Sequence, residues 1–153
     1  MTRILPLFLV LLFATCCAQP GFAAQKRFRA TLSGSQEVPA VKTGATGDLK
    51  IIVYEKELSF ELNVKGIRNP AGAHINKGKK GENGPPVAGL FGGSKEGNFR
   101  GILAEGAITD ESLLGELQGK KVADLVRLLK TGNAYVNIQT GTFPDGEIRG
   151  QIK

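Results

Sequence analysis

Apolar and polar side chains alternate along most of the chain beyond residue 26. In LSFELNVKG, Leu58, Phe60, Leu62 and Val64 fall on one side, and Ser59, Glu61, Asn63 and Lys65 on the other. A period of two marks a strand with one buried face. DLKIIVY, just before it, sets Leu49, Ile51 and Val53 together, and EKE (55–57) between the two segments predicts a tight hairpin. PVAGLF (86–91) and FRGILAEGAIT (99–109) read as two further strands flanking the glycine-rich loop GGSKEGN. Near the end, AYVNIQT points Val136 and Ile138 inward, and GEIRGQI does the same with Ile148 and Ile152. FPDG joins them, with Pro at the second turn position and Gly at the fourth, as a type I turn prefers.

One segment changes period. KKVADLVRLLKTG places Val122, Leu125, Val126, Leu128 and Leu129 at helical spacing, with Gly132 just past the last turn. A single helix of about three turns follows, and its apolar stripe needs a surface to cover. Short strands, glycine-rich turns and one helix predict a mainly β fold, an antiparallel Greek-key-like β-sandwich with one short helix near 120–130 lying across one end. No internal repeat or linker divides residues 26–153, so they form one domain. In SGSQEVPAV, Val38 and Pro39 are expected to end an edge strand, where a missing N–H is tolerated.

The first residues are of another kind. Arg3 precedes an apolar run from Ile4 to Thr15, interrupted by one proline, and small residues follow. This is the pattern of a secretory signal peptide over 1–23, cleaved after Ala23 or, at a second acceptable site, after Ala18. A spanning helix needs roughly 20 apolar residues, so no membrane span is expected once the signal is gone. Both cysteines, Cys16 and Cys17, lie in this leader. The expected product is secreted or periplasmic, thiol-free and dependent on its core rather than on disulfides.

Charge and composition narrow the chemistry. The formal net charge is +6, which favours anionic partners. No basic run interleaves with aromatics as a single-strand binder requires, so nucleic acid is not expected. The stretch GAHINKGKKGENGPPV (72–87) holds the only histidine, His74. One imidazole and no thiolate in the mature chain fall short of the three or four ligands of a zinc or copper site, so no metal or other cofactor is expected. The glycines of the stretch lack P-loop spacing, and Pro85 and Pro86 cannot open a backbone N–H cradle. No G-x-S-x-G elbow and no mature cysteine supply a nucleophile, and no catalytic residue is assigned.

Three stretches together resemble the CHRD domain family, the module named after chordin: FRATLSGSQEVPAVKTGATG (28–47), GAHINKGKKGENGPPVAGLF (72–91) and LLKTGNAYVNIQTGTFPDGEIRGQI (128–152). The resemblance implies an extracellular setting and protein partners. The family commonly has His-Ile-His after the alanine equivalent to Ala73, and a histidine before the threonine equivalent to Thr140. Here those positions are Asn76 and Gln139, so a metal held by relatives through these imidazoles would be lost in this chain. GAHIN…NGP also distantly resembles copper–zinc superoxide dismutase, which implies a related β-sandwich and not its activity. His74, Asn76 and Gln139 are then expected to form a polar hydrogen-bonded cluster.

These readings converge on an exported, non-enzymatic binding module for a protein or an anionic envelope or extracellular ligand. Lys77, Lys79, Lys80, Glu82 and Asn83 form the expected binding loop, made mobile by its glycines. The alternative is a metal-handling or redox protein using His74.

Overall fold

The computed structural model describes residues 25–153; the expected signal peptide (1–23) and both cysteines lie outside them. Eight strands form one antiparallel sheet: β1 (Arg27–Ser33), β2 (Thr46–Val53), β3 (Leu58–Arg68), β4 (Pro70–Lys77), β5 (Pro86–Gly92), β6 (Asn98–Ile108), β7 (Ala134–Thr140) and β8 (Ile148–Gln151). Their spatial order is β5-β4-β7-β8-β1-β2-β3-β6. The terminal strands β5 and β6 lie against each other, so the sheet curls into a nearly closed body. The chain passes from the β1-β2-β3-β6 half to the β5-β4-β7-β8 half at Asn69, whose φ of 49° turns the corner between β3 and β4.

The two halves face each other over a single core. Leu49 and Ile51 of β2, Leu58, Leu62 and Val64 of β3, Ala73 and Ile75 of β4, Val136 and Ile138 of β7, and Ile148 beside them are buried in one cluster. The alternation of LSFELNVKG is kept, with the apolar set buried and the polar set turned outward. The hairpin closes with Tyr54 N–H donating to the Glu57 carbonyl at 2.9 Å. The FPDG turn closes with Gly146 N–H on the Phe143 carbonyl at 3.1 Å.

The single α-helix among the described residues, α1 (Val122–Lys130), buries Val122, Leu125, Val126 and Leu129 in the same core. Burying side chains of this size is worth about 1.5–3 kcal/mol each, enough to hold a helix too short to stand alone. It starts where Asp110 Oδ1 accepts the Val122 N–H at 2.8 Å and Oδ2 meets Lys121 Nζ at 2.9 Å. At its end Gly132 takes φ +66°, and the N–H groups of Gly132 and Asn133 return to the carbonyls of Leu129 and Leu128. A residue with a Cβ would be strained there. Among the described residues, no helix is long and apolar enough to cross a membrane.

One expectation is corrected. Val38 and Pro39 do not end an edge strand. Strand β1 stops at Ser33 and lies inside the sheet, between β2 and β8, while Val38 and Pro39 fall in the loop that follows. Proline is compatible with either setting because both spare its missing N–H.

Candidate functional site

The two halves treat their outward side chains differently. On the β1-β2-β3-β6 half these side chains meet solvent, as with Lys50 of β2 and Glu61 of β3, which pair across the strands at 2.9 Å. On β4, β7 and β8 the outward positions are His74 and Asn76, then Tyr135, Asn137 and Gln139, then Arg149 and Gln151. Strand register places Asn137 between His74 and Arg149, and Tyr135 between Asn76 and Gln151. Asn76, Tyr135, Asn137 and Arg149 are nonetheless buried. The segment after β1 and the loop between β4 and β5 cover them.

Arg149 is the centre of this polar layer, with 1% of its surface exposed. Its Nη1 donates to Asn83 Oδ1 at 3.0 Å, and its Nη2 to the carbonyls of Lys79 (3.0 Å) and Glu82 (2.7 Å). The guanidinium carbon stands 3.5 Å from the centroid of the Tyr135 ring. A buried cation must be compensated, and here carbonyl dipoles and a π face supply most of that compensation. The planar fork of arginine suits such a set of acceptors better than an ammonium would.

The β4–β5 loop is therefore held from beneath. Tyr135 Oη donates to the Gly84 carbonyl at 3.1 Å and accepts the Gly84 N–H at 3.0 Å. Gln151 Nε2 donates to the Gly78 carbonyl at 3.0 Å, and Asn76 Nδ2 to the Gly84 carbonyl at 2.8 Å. Asn83 Nδ2 reaches the Val38 carbonyl at 2.7 Å and ties the loop to the segment after β1. The loop expected to be mobile is thus hydrogen-bonded along its underside. Lys79, Lys80 and Glu82 point to solvent from that turn, whereas Lys77 is engaged by Glu116 at 2.8 Å. Asn83 is part of the fastening beneath.

The expected histidine cluster divides. His74 Nδ1 lies 3.2 Å from Gln139 Oε1. Asn76 does not join them; it is one register step further along β4 and serves the loop through Gly84. No group of three or more His, Cys, Asp or Glu side chains comes together among the described residues.

Glu37 enters the same region from the segment after β1 and is 8% exposed. Loss of hydration on burial raises its carboxyl from 4.5 to about 7, against the opposing pull of the Arg149 charge. Glu147 is also buried, and its Oε1 accepts from Thr43 Oγ1 at 2.7 Å. Sequence reasoning did not single out Glu37, Tyr135, Asn137 or Arg149. The alternation of GEIRGQI correctly sends Arg149 away from Ile148 and Ile152. Only contacts with residues some 70 positions earlier turn that outward position into a buried one.

Comparison with known proteins gives a consistent result. The CHRD domain model matches residues 28–152, and the chain belongs to that family. Chordin of Xenopus laevis is 27% identical over 140 residues, covering 86% of this chain and 13% of chordin. The chain thus spans a small fraction of that relative. No solved structure matches it.

Proposed function

We propose that this CHRD-family chain is an exported, non-enzymatic binding module that docks a protein or an anionic envelope component on the exposed side of its β4–β5 loop. The carrying observation is the pairing of two exposed cations, Lys79 and Lys80, with a backbone fixed from below by Arg149. A loop ordered before binding loses little conformational freedom on docking. Its lysines steer an acidic partner over a distance set by ionic strength. The leader-like N-terminal pattern supports export, and the similarity to chordin supports a protein partner. A non-enzymatic role agrees with the use of the buried polar groups: Arg149, Tyr135 and Gln151 are occupied with backbone carbonyls.

The test is a crosslinking pull-down from the native cell envelope with wild type and the double variant Lys79→Glu, Lys80→Glu. Neither side chain contributes to the fastening of the loop, so the variant is expected to fold normally and lose most of the captured partner. Capture at the wild-type level by the folded variant would remove this loop as the docking surface.

A further inference from the structure

Beside Glu37 lies a cleft between the segment after β1 and the FPDG turn, with Asn83 of the β4–β5 loop at one edge. Its volume is about 210 Å³. Val38, Val41, Phe143 and Pro144 give it apolar walls. Glu37 and Asp145 also line it, and no lysine or arginine does, on a chain whose net charge is +6.

Two buried oxygens have no hydrogen-bond partner: Glu37 Oε1, on a residue that lines the cleft, and Asn137 Oδ1, on a residue behind the lining Gly146. The Asn137 orientation follows from its other end, since Nδ2 donates to the Asp145 carbonyl at 3.0 Å. Both oxygens converge on Gly146. A Cβ there would fall 2.7 Å from Glu37 Oε1 and nearer still to Asn137 Oδ1, so only glycine fits beside them. Unpaired buried acceptors are uncommon and costly. The species that satisfies two converging acceptors is a donor.

We propose that this cleft is a subsite for a primary ammonium on an aliphatic stem, presented by a lysine side chain of a partner protein. The stem lies against Val41, Phe143 and Pro144, and the ammonium donates to Glu37 Oε1 and Asn137 Oδ1. A compact ammonium, whose donors radiate from one atom, fits two converging oxygens; a planar guanidinium needs a wider, bidentate partner. The site borders the lysine loop at Asn83, and its lining is of opposite charge.

The proton balance gives the proposal a signature. Unliganded Glu37 holds its proton up to about pH 7, so ammonium binding expels that proton and strengthens as pH rises through this range. The charged groups around Glu37 are Arg149 from β8, Asp145 across the cleft and Lys80 on the opposite flank; Glu147 is turned to Thr43.

The experiment is a nitrogen-15 NMR titration of the folded protein with Nα-acetyl-lysine methylamide and with its norleucine counterpart, which keeps the stem and lacks the ammonium. The lysine compound is expected to give saturable shifts of the Asp145 and Gly146 amides and the Asn137 side-chain amide. Binding is expected to be about tenfold weaker at pH 6 than at pH 8, because a carboxyl titrating near 7 is mostly protonated at the lower pH. E37Q is expected to abolish the shifts, whereas the Lys79→Glu, Lys80→Glu variant keeps them at least as strongly as wild type, which separates this cleft from docking through the lysines. Equal shifts with norleucine would reduce the cleft to an apolar slot. Absence of shifts with lysine at both pH values would show that the carboxyl proton alone fills the gap. Either result overturns the proposal, and both are read on wild type, so the test survives even if E37Q disturbs the fold.

Discussion

The outward faces of the two halves of the sheet obey the same period-two rule and end in opposite environments. On β2 and β3 the outward Lys50 and Glu61 form a pair in water. On β7 and β8 the outward Tyr135, Asn137 and Arg149 form a buried polar layer with loops above it. The strand pattern decides only which way a side chain points. What lies above it is decided by the loops, and here loops from distant parts of the chain arrive with their carbonyls down. A polar residue facing away from the core is therefore a weak statement about exposure in any sandwich with long connections.

The sharpest way to break this comparison is to remove one cation from each face. Arg149→Ala leaves the Asn83 Oδ1 and the Lys79 and Glu82 carbonyls without their donor. A loss of about 3–5 kcal/mol is expected in denaturant unfolding, the usual result of breaking a buried charged network. Lys50→Ala removes an exposed partner of Glu61 and is expected to leave stability in the same assay almost unchanged. Comparable losses would mean that the two faces are not different in kind.

Glu37 sharpens the contrast through pH. Its folded carboxyl titrates at about 7 against an ordinary 4.5, so the folded state holds the proton more tightly than the unfolded chain does. The stability it contributes is complete below about pH 4.5 and is lost as pH rises through 7. E37Q, which is neutral throughout, should match wild type near pH 4 and exceed it by about 1–2 kcal/mol at pH 8, a modest figure because clefts on both sides admit water. A pH-independent difference between the two would remove the titration of Glu37 as its cause. The exposed Glu61 is held below the usual carboxylate range by its hydrogen bond from Lys50 and then by those from Asn63 and the Lys50 charge. The two carboxyls thus move in opposite directions on opposite faces.

Much of the fold was legible from local pattern. The alternation of LSFELNVKG, the helical spacing of Val122 to Leu129 and the proline and glycine of FPDG each depend on near neighbours, and each took the expected form. The resemblance in three motifs was confirmed by the family match. What local pattern could not give was the meeting of those motifs. Glu37 of QEVP, Asn83 of NGP, Asn137 of YVN and Arg149 of EIRGQ come together only after β8 is laid between β7 and β1. The placement of Val38 and Pro39 failed for a related reason, because a proline relaxes backbone pairing in a loop as well as at an edge. His74 drew attention as the lone imidazole, yet the side chain with most fastenings is the arginine one register step across Asn137.

Everything proposed for the β4–β5 loop requires that Arg149 hold it in place from beneath. Native-state hydrogen exchange of the Gly78, Glu82 and Gly84 amides tests it most directly, since these donate to the Asn133 carbonyl, the Lys79 carbonyl and Tyr135 Oη. In wild type they should exchange slowly, and in Arg149→Lys they should open selectively while Leu49, Leu62 and their β2–β3 neighbours stay protected. Rapid exchange of the three loop amides in wild type, or unchanged protection in the variant, would contradict it.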